Sequence, residues 1–209
     1  MGDQKSFDWL DIAKRLQSIA QAGLEYGHDK YDLERYQMIR DISVEIMQHY
    51  TEVPVEKIIG LFASEKGYQT PKVDIRGVVF REGKILMVKE GIDGKWSLPG
   101  GWADVGHSPF EVAKKEVFEE TNLNVKPLRL LALFDKVKHD HPPDMYHIYK
   151  LFILCKDLGG NIQPGMETLD VKWAGRDEKQ ILSEPRISQK QIDIMFEFLD
   201  NPDKPVMCD

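Results

Sequence analysis

"GGWADVGHSPFEVAKKEVFEET", residues 100–121, decides how the rest of the chain is read. Within it, Ser108-Pro109-Phe110-Glu111 has the form of a capping box. Serine stands at the N-cap, proline at the first helical position and glutamate three residues past the cap. This fixes the register of a helix on which Val112, Ala113, Val117 and the flank of Phe118 face a sheet, while Glu116, Glu119 and Glu120 stand together at i, i+3 and i+4. Like charges at those spacings cost about 0.2–0.5 kcal/mol per pair on a solvated helix, and the negative end of the helix dipole adds a comparable penalty.

Taken alone, three such glutamates read as the solvated acidic end of a helix. The segment ahead of them, Trp96-Ser97-Leu98-Pro99-Gly100-Gly101-Trp102, changes that reading. Its paired glycines let the backbone turn sharply and approach a ligand, and a loop running into a helix can aim carbonyl and N–H groups at a metal and its phosphates. A divalent cation reverses the sign of both electrostatic penalties. Mg²⁺ suits the pattern because it takes a few carboxylate oxygens, keeps several waters and draws further ligands from substrate phosphates.

Working outward, VDIRGVVFREGKILMVKE (73–90) alternates apolar and β-branched residues about the turn Glu82-Gly83 and predicts a hairpin. Further strands are expected at 129–137, 145–156 and 171–174, and a final helix at 188–199 presents Ile192, Met195, Phe196 and Leu199. Ahead of the hairpin the pattern is helical. Trp9, Ile12, Leu16, Ile19 and Leu24 share a face from Phe7 to about Tyr26. A second helix follows Asp32 with Leu33, Tyr36, Ile39, Ile42 and Ile46, and a third begins at Pro54 and includes Ile58, Ile59, Leu61 and Phe62. The chain thus divides into a small all-helical N-terminal domain, 1–70, and an α/β domain, 71–209. The first is too small to bury its own apolar pattern, so it packs on the rest or on a second copy.

The 209 residues are 42% hydrophobic and 30% charged, the proportions of a globular protein, with no apolar run long enough for a transmembrane helix. The polar, acidic start MGDQKSFDWL lacks the form of a secretory signal, and Cys155 and Cys208 suggest neither a disulfide framework nor a zinc site, so a reducing, cytoplasmic setting is expected. A net charge of −7 argues against a broad basic surface for nucleic acid. DNA and membranes are not expected partners, and RNA is at most a subordinate one.

Residues 101–123 resemble the Nudix box, G-x5-E-x7-R-E-U-x-E-E-x-G-U with U aliphatic. Gly101, Glu116, Val117, Glu119, Glu120 and Leu123 match it. His107 stands for the family's first glutamate, Lys115 for its arginine and Asn122 for its glycine. In the family that glutamate and arginine support the metal-binding glutamates. Lys115 keeps the charge without the planar fork, and Glu111, four residues earlier, is placed to pair with it. Asn122 tolerates the left-handed conformation that ends a helix. The N-terminal helices, FASEKGYQTPKVDIRGVVF and LPGGWADVG resemble a bacterial Nudix subgroup with a helical N-terminal domain.

That resemblance implies a Nudix α/β/α sandwich with a mixed sheet and hydrolysis of the pyrophosphate bond of nucleoside diphosphates linked to another group. ADP-ribose and CDP-choline lead, with a nucleoside monophosphate released. It implies Mg²⁺, with Mn²⁺ as substitute, held by Glu116 and Glu120, with Glu119 as a further ligand or as support for a second metal and the Gly100 carbonyl as backbone ligand. The base is Glu116 or Glu167, the latter in PGMETLDVKW ahead of a strand.

Five further residues have two readings each. Arg76 can bind substrate phosphates or pair with Asp74 or Glu90. Trp102, like Trp96, can stack on a base or pack a core edge, and His139 and His141 can form a specificity loop or an ordinary polar one. Two other functions stand beside hydrolysis of a linked nucleotide: a Nudix-fold module that senses a nucleotide without cleaving it, and cleavage of RNA ends. A homodimer is expected, with the helical domain serving dimerisation or substrate closure.

Overall fold

The computed structural model describes residues 8–51, 54–61 and 66–209, which gather into two compact units. The first holds the N-terminal helices and, from much later in the sequence, the segment Pro143–His147. The second holds Lys72–Pro142 and Ile148–Asp209.

In the helical unit α1 spans Trp9–Tyr26, α2 Lys30–Tyr50 and α3 Val55–Leu61. The Asp8 carboxylate caps α1 by accepting from the N–H groups of Leu10 and Asp11. The second helix starts earlier than expected. Asp29 supplies its cap, accepting from Tyr31 and Asp32, so Asp32 sits in the first turn, where its charge suits the dipole. Phe7 and Phe62, expected at the helix margins, lie outside the described residues. The seam between helices is built from Ala13, Val44, Met47 and Ile58, with Gln17, Ala20, Gln21 and Ser43 also buried. Large apolar side chains from the expected faces point outward instead: Ile19 is 55% exposed and Ile42 47%.

In the second unit β1 (Lys72–Arg81) and β2 (Lys84–Glu90) form the expected hairpin, with Glu82 and Gly83 both at positive φ. There follow β3 (Trp96–Ser97), β4 (Gly100–Trp102), α4 (Pro109–Thr121), β5 (Val125–Asp135), β6 (Ile148–Asp157), β7 (Thr168–Ala174), α5 (Gln189–Asp200) and β8 (Met207–Cys208). The main path of the eight-stranded sheet runs β3-β2-β1-β6-β5-β8, with β4 on β1 and β7 on β2. It is mixed: β1 runs parallel to β6 and antiparallel to β4, while β5 pairs antiparallel with β6.

Both faces of the sheet are covered, which is why β1 reads as a buried run rather than a clean alternation. Val78, Ile85 and Met87 face α5 through Ile192, Met195 and Phe196. Their neighbours Ile75, Val79 and Leu86 face α4 through Val112, Ala113 and Val117. The result is an α/β/α sandwich. Several strand limits differ from expectation: β6 begins at Ile148 rather than at 145, and β7 at Thr168 rather than at 171. β5 begins at Val125 because Val125 pairs with Asp157, and it ends at Asp135, whose carboxylate caps a 3₁₀ turn at Lys136–Lys138.

Cys155 belongs to the α4-side core, where burial pushes its thiol up to about 12, whereas Cys208 is exposed. Native protein at pH 8 is therefore expected to react with Ellman's reagent at Cys208 alone and, in guanidinium, at both cysteines; rapid native labelling of Cys155 would contradict this packing.

Candidate active site

Backbone geometry at β4 builds one wall of the site. Gly100 lies opposite Arg76 and Gly101 opposite Ile75, with Gly100 at φ 149°, where a Cβ would meet the Ile75 carbonyl oxygen at 2.0 Å. This tight seat turns the Gly100 N–H toward α4, where it donates to Glu120 Oε2 at 2.8 Å. The Gly100 group seen engaging the site is thus its N–H, whereas the sequence pointed to its carbonyl.

The capping box forms as expected. Glu111 N–H donates to Ser108 Oγ at 3.3 Å, and Ser108 N–H donates to Glu111 Oε2 at 2.8 Å. Asn122 ends the helix in the left-handed region at φ 57°. Glu111 is therefore committed to the cap, and the expected Glu111 to Lys115 pairing is replaced: Lys115 Nζ donates to Asp104 Oδ2 at 3.0 Å.

Gly101, Trp102, Asp104, Lys115, Glu116, Glu119, Glu120, Met166 and Glu167 line one cleft of about 490 Å³. It brings together every carboxylate the sequence proposed, from one helix and one separate loop. That loop is pinned to the end of α4. The Glu120 carbonyl accepts from Gly165 N–H at 3.1 Å and from Thr168 Oγ at 3.0 Å, while Gly91 N–H donates to the Glu167 carbonyl at 3.0 Å. A Cβ at Gly165 would lie 1.9 Å from the Glu119 carbonyl oxygen, so glycine permits the approach. Trp102 is 49% exposed, whereas Trp96 is partly buried against the α5-side core.

Glu116 and Glu120 are poorly solvated, whereas Glu119 and Glu167 are exposed. Burial pushes the Glu120 carboxyl up to about 8 against the pull of Arg76 and the Gly100 N–H, and burial also raises Glu116 despite Lys115. Among the described residues no group of three or more His, Cys, Asp or Glu side chains is already gathered tightly enough to hold a metal ion. The cleft is an open lining of oxygens, which fits a cation that retains waters better than one needing a closed protein cage.

Three candidates lie elsewhere. Arg76 is 5% exposed and its guanidinium is used inside the protein, which corrects the expectation that it reaches substrate phosphates. It donates to Asp74 at 2.8 Å, to the Leu98 carbonyl at 3.0 Å and to Ser97 Oγ at 3.3 Å, with Glu90 at 3.9 Å. Lys150 also bonds Asp74. Burial opposes ionisation of Asp74, but Arg76 and Lys150 together hold its carboxyl well below the usual carboxylate range. His139 packs against Phe134 with the two rings tilted by 38° and pairs with Asp209 at 3.2 Å, and His141 Nδ1 contacts the Glu184 carbonyl at 2.6 Å, which requires a proton on that nitrogen. Neither histidine lines the cleft, correcting their expected place beside the substrate. The residues missed from the sequence are Asp104 and Met166, which carry no local signal, and Gly165, whose role appears once α4 and the loop meet.

Comparison with known proteins gives two family matches. Residues 7–62 match the UDP-X-like N-terminal oligomerisation domain and residues 70–195 the NUDIX domain. The chain is 45% identical over 201 residues to the putative ADP-ribose pyrophosphatase YjhB of Bacillus subtilis (strain 168), covering 96% of this chain and 97% of that one. A solved ADP-ribose pyrophosphatase from Streptococcus suis 89-1591 is 38% identical, with a TM-score of 0.62, covering 67% of this chain and all of that one. A solved UDP-X diphosphatase is 30% identical, with a TM-score of 0.63, over 97% of this chain and 98% of that one.

Removing one member of a buried ionic cluster leaves the others uncompensated, at a cost of about 3–5 kcal/mol. Arg76→Ala is expected to lose about that much stability in urea denaturation at pH 7. A stability within about 0.5 kcal/mol of wild type, the usual range for surface substitutions, would instead indicate a surface-facing arginine.

Proposed function

The chain belongs to the Nudix family and is a Nudix hydrolase; from that membership and the geometry of its cleft we propose that it hydrolyses the pyrophosphate bond of nucleoside diphosphates linked to another group. The carrying observation is the convergence of Glu116, Glu119, Glu120 and Glu167 on one cleft beside half-exposed Trp102. ADP-ribose is the leading substrate, supported by the names of the relatives, with CDP-choline next. Water adds at phosphorus and the bridging oxygen leaves, so that ADP-ribose yields AMP and ribose 5-phosphate.

Glu116, Glu119 and Glu120 would hold Mg²⁺, or Mn²⁺ in its place. When bound, the cation would supply charge neutralisation for a pyrophosphate in a cleft otherwise rich in carboxylates. The donor set fits, since burial without a cation leaves both Glu116 and Glu120 with raised proton affinity. Gly100 N–H orients the Glu120 carboxylate. Glu167, on the loop fixed to the end of α4, accepts the proton from the attacking water. Trp102 offers a flat apolar face for a nucleobase. Retention of all the cleft carboxylates favours turnover over a purely sensing module.

The helical domain is proposed to make a homodimer. Its family model is an oligomerisation domain, and Ile19, Met38 and Ile42 remain exposed on its helices. Among the described residues no helix is long and apolar enough to cross a membrane. The proposed compartment is the cytoplasm.

Product analysis on ADP-ribose, CDP-choline and UDP-linked sugars with Mg²⁺ tests the reaction. Wild type is expected to release a nucleoside monophosphate, while Glu120→Gln and Glu167→Gln each lose roughly a hundredfold or more in kcat. Glu167→Gln is expected to retain metal binding. Binding without release of monophosphate from any substrate would leave a sensing module, and equal turnover by Glu120→Gln would remove the metal assignment. Light scattering at micromolar concentration is expected to give twice the chain mass; a monomer would contradict the dimer.

A further inference from the structure

The contact that replaced the expected Glu111 to Lys115 pair carries a consequence for cation binding. Asp104 lies in the connection between β4 and α4, and its backbone is held on both sides. Ala103 N–H donates to the Val73 carbonyl at 2.9 Å, and the Asp104 carbonyl accepts from His107 N–H at 3.2 Å. The resulting turn sets the Asp104 carboxylate 3.0 Å from Lys115 Nζ.

The same ammonium stands 3.8 Å from Glu116 Oε1 and 3.9 Å from Glu119 Oε2, within ion-pair range but beyond hydrogen bonding. Lys115 is therefore a resident cation poised beside two of the carboxylates assigned to the metal. On its own helix those glutamates lie one and four residues away. A small rotation of its flexible stem would bring it into hydrogen-bond range of either. An ammonium bonded there would compete with a divalent cation for the same oxygens.

We propose that Asp104 is a positioning residue that draws the Lys115 ammonium away from Glu116 and Glu119, keeping both carboxylates open to a divalent cation. This rests on the reading of Glu116, Glu119 and Glu120 as the cation site. It explains how a cleft with a lysine among its glutamates can take up a metal without first breaking a direct lysine–glutamate bond. Asp104 acts through Lys115 and contributes no ligand of its own.

The test is direct Mn²⁺ binding, read from the loss of the free-ion electron paramagnetic resonance signal, in wild type, Asp104→Asn, Lys115→Met and the double variant. Asp104→Asn is expected to bind Mn²⁺ about tenfold more weakly, the lower end of what a supporting contact is worth at a metal site. Lys115→Met is expected to bind at least as tightly as wild type, and the double variant to match Lys115→Met. Both side chains are partly exposed, so melting temperatures should stay close to wild type.

A long-range effect of removing one negative charge would fade in about 0.5 M KCl, where screening acts over a few ångströms. Competition at contact distance would persist. The proposal is overturned if Asp104→Asn binds like wild type, if the double variant stays as weak as Asp104→Asn, if Lys115→Met itself loses affinity, or if the deficit disappears in high salt. Failure of wild type to bind Mn²⁺ would instead overturn the cation site beneath it, a separate result.

Discussion

A buried arginine makes it possible to fold a cluster of acids against this sheet. Arg76 sits on β1 with its guanidinium bonded to Asp74, Ser97 and the Leu98 carbonyl, and its charge acts on both Glu90 and Glu120. Carboxylates taken from water need compensation by charge and hydrogen bonds. Asp74 obtains it from Arg76 and Lys150, and Glu90 from Arg76 and from Arg186 at 3.2 Å. Glu120 receives only the Coulombic pull of Arg76 and one N–H, which does not offset its burial. Asp74 is thus balanced, whereas burial outweighs the available compensation at Glu90 and, in the cleft, at Glu120. Because β1 carries Arg76 and also seats Gly100, the strand that organises the sheet also sets the electrostatics of this wall of the cleft.

The sequence was legible where the governing interaction is local. The capping box depends on residues three apart, the left-handed stop depends on Asn122 alone, and the three glutamates share a face through helical geometry. All of these could be read from a window of about twenty residues. The hairpin and α5 were similarly plain from alternation and helical spacing. What was not legible depends on partners distant in sequence. Arg76 was correctly seen to interrupt an apolar strand, but its burial follows from β4 and β6 closing on β1. His139 and His141 looked like site residues by composition, and their contacts with Asp209 and Glu184 place them elsewhere. Asp104 carried no signal, since a single acid in a glycine-bearing loop is ordinary. In the helical unit the apolar periodicity was real, but Ala13, Ala20 and two glutamines line the seam, leaving larger residues outside.

The two units answer different physical demands. A helical unit that leaves Ile19, Met38 and Ile42 in water has an incomplete apolar balance, whereas the sandwich covers both faces of its sheet from within its own sequence. In the proposed enzyme, substrate preference falls to the exposed rim rather than the acid wall. Trp102 reaches into solvent from the end of β4 and Met166 from the loop before β7, and loops of that kind vary with little cost to the scaffold beneath them.

Glu120 joins the two sides of the cleft through different parts of one residue. Its carboxylate accepts from Gly100 N–H on the β4 side, and its backbone carbonyl accepts from Gly165 N–H and the Thr168 hydroxyl on the loop side. Carbonyls in the last turn of a helix lack intrahelical partners, and here the loop supplies them: Thr121 also accepts from Gln163 N–H at 2.9 Å. The interaction that completes the end of α4 is therefore also the one that places Glu167 beside the helix glutamates. A loop left free would place that carboxylate over a range of distances from the reacting water, and proton transfer tolerates little such spread. Tying the loop to the helix terminus makes the separation of Glu167, the proposed base, from the proposed metal ligands a property of secondary structure, with Gly165 as the point where a side chain would force them apart.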